Sequence, residues 1–179
     1  MKKFSIWLAA VLLAVGLGIV VQGPASAAPY CGLTWGSLAK SGQDTGTASV
    51  TNVRTGQHYC FDRLVVDLNG PAVAYAVQYV PRIEQEGSGA AIPVRGGARL
   101  HISIKAPSYD ENGNATYNPA DKNELSNVSG YQTFRQVGSA GSFEGYTSLG
   151  LGVRARLPFR VFTLDGPGSR LVIDVAHYW

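Results

Sequence analysis

Charge is scarce in this chain: Asp, Glu, Lys and Arg make up 15% of its 179 residues. Reactive side chains are scarcer still, with two cysteines, three histidines and one methionine. Two cysteines supply neither a CxxC redox motif nor a four-thiolate zinc set. His58, His101 and His177 fall in separate segments without HExxH spacing, mark no metal site, and read as ordinary surface or edge residues. There is no GxSxG nucleophile elbow. Gly87-Ser88-Gly89 and Gly96-Gly97 lack the lysine and the spacing of a phosphate loop, so they read as turns. The acidic neighbours Glu84 with Glu86 and Asp110 with Glu111 lie in polar turns, where adjacent acids are common. The expectation is a protein that is not an enzyme and uses no metal and no cofactor.

The N-terminus carries the one long apolar run. Met1-Lys2-Lys3 is a positive start, residues 4–21 are uncharged and apolar, and Ala25-Ser26-Ala27 is a small-x-small cleavage triplet. Residues 1–27 are therefore expected to be a signal peptide, with mature protein beginning at Ala28. No lipobox precedes Cys31, so lipid attachment is not expected. Removing 27 of 179 residues leaves 152, enough for one domain with a real core. Taking Lys2 and Lys3 from the 15 Lys and Arg leaves 13 against 12 acids, a charge of about +1. A nucleic-acid partner requires a larger basic excess, so none is expected. Nor is a membrane span expected after signal cleavage. In an exported chain the two cysteines are expected to form a Cys31–Cys60 disulfide.

Beyond the leader the apolar pattern has period two. In Asp62-Arg63-Leu64-Val65-Val66-Asp67-Leu68, the residues Leu64, Val66 and Leu68 share one face, and Arg63, Val65 and Asp67 share the other. Asn69-Gly70-Pro71 signals a turn, and residues 72–80 alternate again, so the two segments read as a hairpin. Leu100, Ile102 and Ile104 face inward from another strand. Further strands are expected at 48–54, 132–137, 148–156, 158–164 and 170–179. About eight short strands between glycine-rich turns predict an all-β fold, a sandwich or closed barrel. Residues 28–46 show little period and read as an N-terminal extension tied by the disulfide, leaving 47–179 as the β domain.

One sextet repeats. Arg63-Leu64-Val65-Val66-Asp67-Leu68 returns as Arg170-Leu171-Val172-Ile173-Asp174-Val175, which predicts two equivalent strands. Arg63, Asp67, Arg170 and Asp174 then share a charged outer face and are expected to be structural, pairing within or between neighbouring strands. Two features suit binding. Tyr109, Tyr117 and Tyr131 lie in or beside the long polar segment 107–131, where aromatic rings can stack on sugars, fill a partner's pocket, or pin the loop to the sheet. Arg154 and Arg156 share a strand face with Arg160 close behind, a basic cluster suited to an anionic envelope polymer.

The sextet also carries a resemblance. Phe159-Arg160-Val161-Phe162-Thr163-Leu164, then Asp165-Gly166-Pro167-Gly168-Ser169 and the second sextet, resemble the strand, turn and strand that end AMIN domains. Together with residues 61–71, Phe143-Glu144-Gly145 and Leu149-Gly150-Leu151-Gly152-Val153-Arg154, they are similar to the AMIN-like domain of secreted and lipid-anchored actinobacterial proteins, over residues 47–179. The resemblance implies a β-sandwich of two small sheets. It also implies a secreted, non-catalytic module of the cell envelope or extracellular space, contacting peptidoglycan or another wall polymer. The long 107–131 loop departs from the short AMIN pattern and suggests the alternative of a protein-interaction or inhibitory domain. The expected partner is accordingly a cell-wall glycan or an envelope protein.

Overall fold

The computed structural model describes residues 28–179, so the signal peptide expected over 1–27 lies outside the described residues. In chain order the strands are β1 Lys40–Thr45, β2 Val50–Gln57, β3 Phe61–Leu68, β4 Val73–Val80, β5 Ile83–Glu84, β6 Ala91–Ile92, β7 Ala98–Ile104, β8 Phe134–Phe143, β9 Tyr146–Val153, β10 Phe159–Leu164 and β11 Arg170–Ala176. They form a five-stranded sheet β1-β4-β7-β9-β8, a four-stranded sheet β10-β11-β3-β2, and the two-stranded β5-β6, with every pairing antiparallel. Neither large sheet closes on itself. The fold is a β-sandwich, and the barrel alternative is set aside.

Alternation explains the core. From the four-stranded sheet Leu64, Val66, Leu68, Leu171, Ile173 and Val175 point inward; Val77, Leu100, Ile102, Ile104, Leu149 and Leu151 meet them from the other sheet. Each such side chain contributes about 1.5–3 kcal/mol by leaving water. A second, smaller cluster of Ile83, Val94 and Ala140 sits on the outer face of the five-stranded sheet. The 81–97 segment can lie there because β9 offers glycine: a Cβ on Gly150 would stand 2.9 Å from Ile83, and one on Gly152 would stand 1.8 Å from the Arg95 carbonyl oxygen.

Three expectations are corrected. β3 and β4 are not a hairpin, since they belong to different sheets and the chain crosses the sandwich at 69–72. There the Leu68 N–H donates to Ser169 O at 2.9 Å and the Asn69 N–H to Ser49 O at 3.1 Å, so the corner is bonded to other corners. The extension is more than a tether, because β1 pairs with β4 at the edge of the five-stranded sheet. β9 ends at Val153, which leaves Arg154 and Arg156 in a bend, not on a shared strand face. The strands number eleven among the described residues, nine of them in the two large sheets. Cys31 and Cys60 are bonded, 29 residues apart. A closed loop of that length restricts the unfolded chain by about 3–4 kcal/mol in the loop-entropy account.

Candidate functional site

The long 107–131 segment has almost no regular structure, yet many of its backbone groups are hydrogen-bonded. Asp110 folds its tip: Oδ1 accepts from the backbone N–H groups of Asn112 and Asn114 at 2.9 and 2.8 Å, and Oδ2 accepts from the Asn114 side-chain amide at 3.0 Å. Gly113, at φ 81°, makes the left-handed step, and Tyr109 bridges back to Ala115. The Asn114 amide, with help from the backbone N–H groups, holds the Asp110 carboxyl below its ordinary value. A carboxylate lowered in this way supports the turn at every pH above its unfolded value and loses that support as pH falls through the lowered one.

The loop's base is fastened to both sheets. The Thr116 hydroxyl donates to Val50 O at 2.7 Å, the Ser49 hydroxyl donates to Tyr109 O at 3.2 Å, and the Ser108 N–H donates to Ser142 Oγ at 3.0 Å. Farther on, the Ser139 N–H donates to Lys122 O and the Leu125 N–H to Val137 O, which occupies part of the free edge of β8. Val128 is buried and Leu125 packs on the core, two apolar anchors inside a segment that reads as polar.

Between this loop, the ends of β8 and β9, and the 85–93 stretch runs an open groove of about 590 Å³. Tyr109 and Tyr117 both line it. The Tyr109 hydroxyl accepts from the Gly145 N–H at 3.3 Å, and Tyr117 packs against the core, where burial pushes its phenol above its ordinary value. Ser139, Ser142, Thr147, Gln85, Asn118 and Lys122 line the groove as well, with Ser142 Oγ accepting from the Ser108 N–H and the Thr147 hydroxyl. The site thus combines aromatic surface with many short-range donors and acceptors in a cleft open to solvent. None of the six polar residues carries a motif, because they come from three separate segments and only the fold gathers them.

The other expected binding residues lie elsewhere. Tyr131 stacks on Phe134 with ring centroids 6.0 Å apart, and its hydroxyl meets Thr55 Oγ1 at 3.1 Å, so it pins the loop to β2. Arg154 donates to the His177 carbonyl oxygen and lies over Tyr178. Arg156 donates to Ser37 O at 3.0 Å and lies over Tyr79, joining the extension to the sandwich. Arg160 stands on β10, over the Trp35 ring at 4.5 Å, with Asp174 at 2.8 Å. Each of the three arginines is thus held by partners of its own. Of the four expected structural charges, Arg63 and Asp174 pair with each other, Asp67 pairs with Arg54, and Arg170 reaches the Asp165 carbonyl.

Two polar residues are far more buried than their segments suggest. His177, read as a surface residue, is 2% exposed; its Nε2 donates to His58 O and its Nδ1 meets Thr133 Oγ1, both at 3.0 Å. Asp62 is fully buried, and its Oδ2 accepts from the backbone N–H groups of Thr133 and Phe134 at 2.7 and 3.0 Å. Threonine, histidine and aspartate lie close together here, but the far side of the imidazole faces a backbone carbonyl where a nucleophile's base needs a carboxylate. The cluster joins the C-terminal strand to the 131–134 turn. His101 is half-buried, and burial lowers its imidazole while Glu86 and Glu84 act in the opposite direction. Among the described residues no three His, Cys, Asp or Glu side chains gather as a metal site requires, and no helix is long and apolar enough to cross a membrane.

Among known protein families, the model described as AMIN-like domain fits residues 48–177. No curated protein and no solved structure matches the chain.

Proposed function

Because the chain belongs to the AMIN-like domain family, we propose that it is an exported envelope-binding module that takes a wall glycan in the groove between the 107–131 loop and β8. The observation that supports this reading is the pairing of Tyr109 and Tyr117 with hydroxyl and amide groups in one open cleft. Sugars present apolar C–H faces and outward hydroxyls. A site for them needs flat aromatic surface and close donors and acceptors, without a deep apolar cavity. The groove holds no paired acids flanking a bond to be cut, which fits holding a chain more than cleaving it.

Sedimentation with protease-treated, insoluble peptidoglycan tests the reading. Tyr109→Ala combined with Tyr117→Ala is expected to weaken binding about tenfold, roughly the loss of 1.4 kcal/mol of contact. Tyr131→Ala serves as the comparison: it lies outside the groove, so it should lower the melting temperature and leave wall binding unchanged. Equal binding by the double variant and the parent would remove the groove from consideration. A second reading, a protein-docking loop, is favoured by the exposed 111–115 tip of the loop. It requires binding to vanish when wall-associated protein is stripped, whereas glycan binding survives that treatment.

A further inference from the structure

The outer face of the four-stranded sheet carries a chemistry that the groove does not use. Strand registers arrange its outward residues in three rungs: Arg160, Asp174 and Arg63; Phe162, Val172, Val65 and Arg54; Leu164, Arg170 and Asp67. Four arginines stand on this face with two aspartates. Asp174 is shared by Arg63 and Arg160, and Asp67 is held by Arg54. Arg170 makes no ion pair among the described residues, and its guanidinium reaches only Asp165 O, at 3.4 Å.

Three of these arginines meet. Arg54, Arg63 and Arg170 border a recess of about 240 Å³, together with His58, over a floor that includes Val65 and Val172. Arg54 and Arg63 each spend Nε and Nη2 on their aspartates, so each keeps the two N–H groups of Nη1. The valine floor offers no hydrogen-bond acceptor, and low-polarity surface beneath a charge strengthens its field. Planar N–H forks around such a floor match the geometry of phosphate and carboxylate oxygens.

We propose that this recess binds an oxyanion, a phosphate or carboxylate group, carried repeatedly along an anionic envelope polymer. The recess shares no residue with the groove. Its purpose rests on the envelope location, while its chemistry can be tested with soluble probes and no wall glycan, so either site can fail alone. Arg170 is the cation with a free charge to offer, and Arg54 and Arg63 orient the same anion with their remaining N–H groups.

The experiment titrates the chain with linear polyphosphate, with polyglutamate of matched length, and with neutral dextran, at low and at physiological salt. Binding to one or both polyanions and not to dextran is expected, weakening as salt rises. Preference for polyphosphate assigns phosphate as the natural group, and preference for polyglutamate assigns carboxylate. Arg170→Gln should lower polyanion affinity about tenfold and make the salt dependence shallower, and Arg170→Lys should restore part of the loss. Arg82→Gln removes the same charge at an exposed arginine of the 81–97 segment, where Arg82 pairs with Glu84, and should bind like the parent. Equal losses from Arg170→Gln and Arg82→Gln, unchanged binding by Arg170→Gln, or no binding to either polyanion would overturn the proposal.

Discussion

The two rungs that repeat each other in sequence, Arg63 opposite Asp174 and Asp67 opposite Arg170, stand symmetrically about the Val65 and Val172 pair. In side-chain terms they differ. At the first rung the aspartate has no exposed surface and binds two guanidiniums, Arg63 through both oxygens at 2.6 and 2.8 Å and Arg160 at 2.8 Å. At the second, the Asp67 side chain keeps 23% of its surface and turns away from Arg170 to Arg54, at 2.8 and 2.9 Å. The flanking strands account for the difference: β10 places Arg160 beside Asp174, and β2 brings Arg54 diagonally onto Asp67. A repeated sextet sets backbone register, and residues outside the repeat choose the partners.

The comparison can be broken most sharply at its buried end. Asp174→Ala removes the one carboxylate beneath Arg63 and Arg160 and should cost about 3 kcal/mol, the low end for a broken buried pair because both guanidiniums keep some water. Thermal unfolding should then fall by about 6–12 °C for a domain of this size. Asp67→Ala should cost about 0.5 kcal/mol, since Arg54 is half-exposed and loses a screened partner. Equal melting shifts for the two variants would show that the rungs are energetically alike despite their geometry. The smallest stability change is expected from Arg54→Gln. Asp67 is then released to the arginine directly across the ladder, so stability should stay within about 0.5 kcal/mol of the parent. The same exchange removes one cation of the recess and turns Asp67 onto Arg170, so polyphosphate affinity should fall by about as much as in Arg170→Gln.

The sequence made the strands legible because burial on one face forces apolar residues into every second position, as at Leu64, Val66 and Leu68. The Cys31–Cys60 bond was legible because the leader-like start points to an oxidising compartment and two cysteines have one pairing. Strand partnership was less so. Asn69-Gly70-Pro71 announces a reversal, but the same signal serves a corner between sheets, and only the bonds to Ser49 and Ser169 separate the two cases. β1 was hidden because its six residues are polar and mostly exposed, held to β4 by backbone groups that any sequence possesses. His177 was misread because its burial comes from the 131–134 turn and from His58, far away along the chain. Within the candidate groove, Tyr109 and Tyr117 stood out as aromatic rings in a polar loop. Ser139, Ser142 and Thr147 are ordinary strand residues until the loop closes over them.

The Arg63 to Asp174 rung joins segments 111 residues apart, and this sets an order of events during synthesis. β11 is the last of the described strands, yet it lies between β10 and β3. Until it emerges, β10 has no ladder to join, β3 shows an open edge, and half of the inner layer has nothing to pack on. Such long-range pairing places the domain among slow, all-or-none folders, in the range of milliseconds to seconds. The last of the described strands is thus the one that completes the four-stranded sheet, and the sandwich closes only when both ends of that sheet are present together.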